Sequence, residues 1–317
     1  MRLRGVEWGH VLNASGARGF TGEGYWFHEL LQPLGLRYGG STFVTKTTTL
    51  MRRPGNMPLD EDSQPLALWP DCIVVKPWSG VVLNAVGLSG PGAKEILKRL
   101  SVRRDVSRVV VSFMSVENDS KARVSEALSF VQMFESFVEE KRAENVALQV
   151  NFSCPNVGLD TSHLVEEVAQ VLDGTVKLGV ATMIKLNALV PPETACDLAK
   201  HAGCDAVVCS NTIPWGQRPD AIDWKCLFGS TSPLNKYGGG GLSGKPLLPI
   251  VEEWIRRAME AGMSKPLVGG GGILCPADAD RLLDAGASAI ELGSVSILRP
   301  WRVASIIAHV NQRLGTA

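Results

Sequence analysis

The chain has 317 residues, 45% of them hydrophobic and 20% charged, with 32 basic and 32 acidic side chains that cancel. Enough apolar material is present to offset the entropy of folding, which excludes a disordered chain, and zero net charge argues against a nucleic-acid binder that relies on broad phosphate neutralisation. The apolar runs, among them VVLNAVGL and VVVSF, fall well short of the ~20 residues of a membrane span.

In chain order, the first β-rich run is VLNAS at 11–15, followed by a helical stretch over 23–33 and then STFVTK (41–46). A Pro/Gly-rich connection leads to a helix from Pro91 and to RVVVSF (108–113). An amphipathic helix over 119–142 precedes VALQVN (146–151), and a helix over 161–173 precedes ATMIKL (181–186). Pro191 and Pro192 open the next helix, before DAVVCSN (205–211), a long loop and a helix over 246–261. PLVGGG (266–271) and SAIELG (288–293) complete the series, each leading into a helix. Eight strand candidates with a helix after each imply parallel strands joined by crossover helices. The count predicts one (β/α)8 barrel domain over residues 1–317.

The N-terminal MRLRGVEWGHVLNASG lacks a signal-peptide core and a long anchor helix, so a cytoplasmic protein is expected. Seven cysteines without a CxxC pair predict buried thiols rather than disulfides. Five histidines without HExxH or an evident cluster predict no metal site. Two connections, 47–83 and 212–243, are long enough to be functional loops, and both follow strand ends, where barrels carry their active sites. Within the second, Gly238–Gly241 reads as a close backbone approach rather than a linker.

Chemistry gathers at the C-terminal ends of the proposed strands: Asn13–Gly16, Lys46, Asn151, Lys185, Asn211, Gly269–Gly272 and Gly293–Ser294. Polar residues at one end of most strands point into a shared mouth. Glycines after the last two strands suit a phosphate held by backbone N–H groups. In NFSCPNVG (151–158), Cys154 stands directly before a proline on a strand-end loop, flanked by Asn151 and Asn156. Those amides both donate and accept hydrogen bonds, as a planar heterocycle with alternating C=O and N–H groups requires.

Together these segments resemble a known family. NFSCPN, with STFVTKTTT, RRPGNMP and NAVGL (84–88) before it and MIKL, CSNT, GGLSG, VGGGGI and GASAIELGS after it, is similar to dihydroorotate dehydrogenases. The likeness runs over roughly residues 10–300, with the motifs in the family's order. Cysteine in SCPN resembles the soluble class 1 enzymes; the membrane-associated class 2 enzymes carry serine there.

The resemblance implies an FMN-dependent barrel that oxidises dihydroorotate to orotate in pyrimidine biosynthesis. Cys154 would be the general base at C5 while C6 passes hydride to flavin N5. Asn84, Asn151, Asn156 and Asn211, with Thr212, Gly87 and Leu88, would hold the substrate. Lys46 would sit near both flavin and substrate with a part in catalysis, and Asn151 would also touch the flavin. Lys185 would lie at the flavin N1/C2=O edge, with Ala14, Ser15, Gly16 and Thr47 against the ring system. Gly241, Gly271, Gly272, Gly293 and Ser294 would surround the ribityl phosphate. A homodimer is the expected assembly, with a partner subunit carrying FAD and an iron–sulfur cluster as the other course. GGLSG and VNFSCPN lean towards the latter, class 1B.

The chain departs from the family pattern in a longer 57–83 segment, GNMPLDED, Val86, and GSV in place of GTA. These leave open an enzyme for another dihydropyrimidine. A non-redox barrel binding a sugar phosphate, and a protein that retains flavin without turnover, are the readings from other classes.

Overall fold

The computed structural model describes residues 1–102, 108–141, 145–152 and 161–315. In chain order the strands are β1 (Arg2–Leu3), β2 (Val6–Glu7), β3 (Val11–Asn13), β4 (Phe43–Val44), β5 (Ile73–Lys76) and β6 (Val81–Asn84). There follow β7 (Val109–Phe113), β8 (Val146–Asn151), β9 (Ala181–Leu186), β10 (Ala206–Cys209) and β11 (Ile213–Pro214). The last three are β12 (Gly241–Gly244), β13 (Leu267–Gly269) and β14 (Ala289–Leu292). The principal helices are α1 (Trp26–Leu31), α2 (Ala93–Val102), α3 (Ser120–Lys141), α4 (Thr161–Thr175) and α5 (Pro192–Ala199). After them come α6 (Trp224–Phe228), α7 (Leu247–Glu260), α8 (Pro276–Asp284), α9 (Val295–Leu298) and α10 (Val303–Arg313).

Eight parallel strands form one sheet in the order β3-β14-β13-β10-β9-β8-β7-β4. The predicted barrel is therefore present, with each predicted strand within a few residues of its expected place. β3 and β4 meet at the seam through a single bridge, Leu12 to Thr42. Asn13 completes the closure: its Nδ2 donates to the Val44 carbonyl at 2.8 Å and its Oδ1 accepts from the Val44 N–H at 3.1 Å. A side-chain amide thus substitutes for a missing rung of backbone pairing.

Alternation along the strands builds two kinds of core. Ala147 on β8 faces the barrel interior with Leu12, Val44, Val110, Ala181, Met183, Val208 and Val268. Its neighbours Leu148 and Val150 face outward onto α3. That helix presents Val124, Ala127, Phe130, Phe134 and Phe137 to the sheet, a spacing of three and four that keeps one stripe apolar. Phe113 and Phe130 stack at 4.0 Å. The short β1–β2 hairpin closes the N-terminal end, where Met1, Leu3 and Trp8 are buried against the interior cluster.

The two long connections depart from expectation. Rather than independent loops, they contribute strands to a second, antiparallel sheet in the order β11-β12-β6-β5. Gly241 pairs with Asn84 and Leu242 with Leu83. One face of this sheet, including Leu83, Leu242 and Ile213, is buried in the apolar core. Asp71 binds the two excursions again, accepting from Lys236 Nζ at 2.6 Å and from the Tyr237 hydroxyl at 2.8 Å. The glycine run does permit close approach: a Cβ on Gly240 would stand 2.9 Å from the Asn84 carbonyl oxygen. No helix among the described residues is long and apolar enough to cross a membrane.

Candidate active site

A cavity of about 1010 Å³ lies between the C-terminal ends of the barrel strands and the antiparallel sheet, which forms its ceiling. It falls at the upper end of the size range of small-molecule sites. Every described residue expected to hold substrate or flavin lines it, whereas the strand-end residues Asn13 and Gly269 do not. Cys154 and Asn156 lie outside the described residues.

The floor is polar because the inward positions change character as the strands rise. On β8 the inward series is Ala147, Gln149, Asn151, and on β9 it is Ala181, Met183, Lys185. These groups are joined in one network. Ser15 Oγ and Thr47 Oγ1 lie 2.6 Å apart, and Asn151 Nδ2 donates to Thr47 Oγ1 at 2.9 Å and Ser112 Oγ at 3.3 Å. Ser112 Oγ donates to Gln149 Oε1 at 3.2 Å, Gln149 Nε2 donates to Glu291 Oε1 at 3.4 Å, and Lys185 Nζ donates to Glu291 Oε2. One acceptor is left over: Asn151 Oδ1 is buried and has no hydrogen-bond partner among the described residues. Such a group costs free energy on the order of 1–3 kcal/mol until a donor reaches it, and here the cavity is where one would arrive.

Lys46 supplies charge. The residue is 8% exposed, and its Nζ lies 4.7 Å from the centre of the Phe20 ring. It has no ion-pair partner among the described residues. Burial pushes its pKa down to about 8, with Glu23 pulling the other way. An anion bound in the cavity would favour the charged form and raise the pKa again.

The ceiling contributes Asn84, whose Nδ2 donates to the Gly241 carbonyl at 3.4 Å. Beside it the chain turns through Gly87 and Leu88, both with positive φ, 70° and 58°. Asn211 Oδ1 accepts from the Thr212 N–H at 2.8 Å, which fixes the amide with its other end available to the cavity. Gly271, Gly272, Gly293 and Ser294 line the far wall after β13 and β14. Gly272 has φ 74°, and a Cβ there would stand 2.7 Å from the Leu248 nitrogen. Glycine there is therefore demanded by the fold as well as by any phosphate that the wall receives.

Several cavity residues were not singled out from the sequence. Asn187 donates to the Thr212 carbonyl at 2.6 Å and so braces the strand-end loops against each other. Asn56, Tyr25, Trp215 and Ser210 also line the cavity, as does Glu291. Glu291 did leave a signal: it is the one acid inside the apolar run SAIELG, at an inward position. No disulfide joins the described cysteines, and no group of three potential metal ligands occurs among the described residues.

A family model described as "Dihydroorotate dehydrogenase" matches residues 9–314. The catalytic subunit of dihydroorotate dehydrogenase B (NAD(+)) from Desulforudis audaxviator is 31% identical over 315 residues, 96% of this chain and 88% of that relative. Dihydroorotate dehydrogenase A (fumarate) from Lacticaseibacillus paracasei is 32% identical over 315 residues, 95% of this chain and 92% of that relative. Among solved structures, Eimeria tenella DHODH in complex with ferulenol superposes with a TM-score of 0.66 at 18% identity, over 99% of this chain and 85% of that one. This last likeness is one of fold.

Proposed function

We infer the activity from one premise: the chain belongs to the dihydroorotate dehydrogenase family. It is an oxidoreductase acting on CH–CH donors, and it oxidises dihydroorotate to orotate in pyrimidine biosynthesis. The observation that carries the reading down to residues is the pairing of a buried amide oxygen, Asn151 Oδ1, with a buried lysine, Lys46, the first without a hydrogen-bond partner and the second without an anion among the described residues. A ring N–H and a carboxylate on one small molecule would satisfy both.

The cavity also fits FMN. Its floor offers amides and hydroxyls to a ring system, and its far wall has glycine backbone at two successive strand ends, where a phosphate fits. Ala14, Ser15, Gly16, Thr47, Asn151 and Lys185 would hold the ring, and Gly241, Gly271, Gly272, Gly293 and Ser294 the phosphate. Bound there, FMN supplies the acceptor for the hydride that leaves substrate C6.

The chain's own part is positional and electrostatic. Asn84, Asn151, Asn156 and Asn211 orient the substrate ring without adding net charge, and Thr212, Gly87 and Leu88 complete the wall. Lys46 takes the carboxylate. Cys154 would remove the C5 proton as general base. Electrons then leave to fumarate in a homodimer, or through a partner subunit carrying FAD and an iron–sulfur cluster.

Anaerobic mixing of the purified protein with L-dihydroorotate, followed by visible absorbance, tests this reading. Rapid bleaching of the flavin bands is expected. Protein that carries FMN and does not bleach would overturn dihydroorotate as the substrate.

A further inference from the structure

One buried acid in the cavity has no part in the reaction outlined above. Glu291 sits on β14, its side chain 1% exposed, and Lys185 on β9 is its ion-pair partner at 6% exposure. In the sheet β10 and β13 lie between those two strands, so the pair spans the barrel interior rather than joining neighbours. Gln149, from β8, holds the second carboxylate oxygen at 3.4 Å. Gly270 leaves room for it: a Cβ there would stand 3.0 Å from Glu291 Cβ and 3.2 Å from its Oε2. Glu291, Lys185 and Gly270 all line the cavity.

As a structural tie alone this pair is a poor device, because apolar side chains of similar volume avoid its desolvation cost. Its electrostatic effect is definite. At this point of the floor Lys185 alone would place one positive charge, in addition to that of Lys46; paired with Glu291 it places none. Substrate oxidation delivers two electrons and one proton to FMN as a hydride, the second proton going to the base, so the ring gains one negative charge. A positive charge there stabilises that anion and a neutral pair does not. Resting on the flavin reading above, we propose that Glu291 is a positioning residue that, by neutralising Lys185, holds down the reduction potential of FMN bound in this cavity. Reduced FMN then passes its electrons onward more readily, at some cost to the rate at which substrate delivers them.

The test is the midpoint potential of bound FMN, read by equilibrium titration against a dye of known potential, in the wild type, Glu291→Gln and Lys185→Met/Glu291→Gln. Glu291→Gln removes one negative charge with little change of shape. The reduced-to-oxidised ratio at a fixed dye potential should rise at least tenfold, which is about 30 mV for a two-electron couple. The double variant, again neutral, should return to within about twofold of wild type, as a coupled pair requires. An unchanged potential in Glu291→Gln overturns the proposal, as does a raised potential that the double variant fails to reverse. If Glu291→Gln does not fold, a double variant tenfold away from wild type is the contradicting result. A wild type that takes up no FMN brings down the flavin reading itself, and the proposal with it.

Discussion

The two ends of the barrel use the same strands and the same two-residue period, and they differ in almost everything else. At the N-terminal end the interior is Ala147, Ala181, Ala206, Ala289 and Val110, sealed by Met1, Leu3 and Trp8. Two to four residues further along, the inward positions are Ser112, Gln149, Asn151, Lys185 and Glu291, equally buried. Burying polar and charged groups opposes folding unless they are fully paired, so the upper layers are not explained by stability. The lower end is built to hold the barrel together, and the upper end to hold something else.

Substitutions at the two ends should therefore separate chemistry from stability. The largest effect is expected at Cys154. Cys154→Ala should slow flavin bleaching on the order of 10²–10⁴-fold, the usual contribution of a positioned base, while Cys154→Ser stays slow and still binds orotate. Because a thiol titrates near ~8.5, the wild-type bleaching rate should climb with pH through that region. A flat profile from pH 6 to 9 would remove Cys154 from the role.

At the opposite end, Trp8→Ala should cost about 3–5 kcal/mol of folding free energy, as large-to-small core changes do. Chemical denaturation would measure the loss, and orotate affinity in the folded fraction should stay at the wild-type value. A weakened orotate affinity would break the division between the ends.

Lys46→Met reverses that pattern. Losing a charge-assisted contact worth about 1.5–3 kcal/mol should weaken orotate binding roughly ten- to a hundredfold. Stability should move the other way. The folded state lowers the lysine's pKa from 10.5 to about 8, so the unfolded chain binds more protons between those values. The wild type consequently becomes more stable as pH rises from 8 to 10.5 through this group, whereas below 8 its charge is a full burden. At neutral pH the methionine variant should melt higher. A lower melting temperature would show that the lysine is structural.

The same titration gives a finer test. Orotate should bind more weakly to the wild type as pH rises above about 8 and Lys46 loses its proton, and this part of the profile should vanish in Lys46→Met. The smallest effect is expected at Asp71, which is exposed together with its ion-pair partner Lys236. Asp71→Asn should leave both melting temperature and orotate affinity close to wild type, since surface ion pairs contribute little.

How much was legible in the sequence divides along similar lines. VALQVN and ATMIKL recur as strands residue for residue, because buried parallel strands are continuous apolar runs with local signals at both ends. The strand-end asparagines, lysines and glycines followed from the barrel alone. The ceiling did not, because each excursion folds into its own antiparallel pair and the rung that joins the two pairs, Gly241 to Asn84, links residues 157 apart. Glu291 was visible as an acid in an apolar strand, but its partner lies three strands away across the barrel. Asn187 acts through the carbonyl of Thr212, a backbone contact that no side-chain pattern announces.

The ceiling has a consequence for how such an enzyme changes over time. Its register is set by backbone pairing and by a buried outer face of Leu83, Leu242 and Ile213. The residues that look into the cavity, Val82, Asn84 and Ser243, alternate with that anchored set. Single substitutions on the inner face therefore alter the shape and polarity met by the ligand without letting the sheet slip. New selectivity can be sampled there one side chain at a time, on a scaffold that keeps its place.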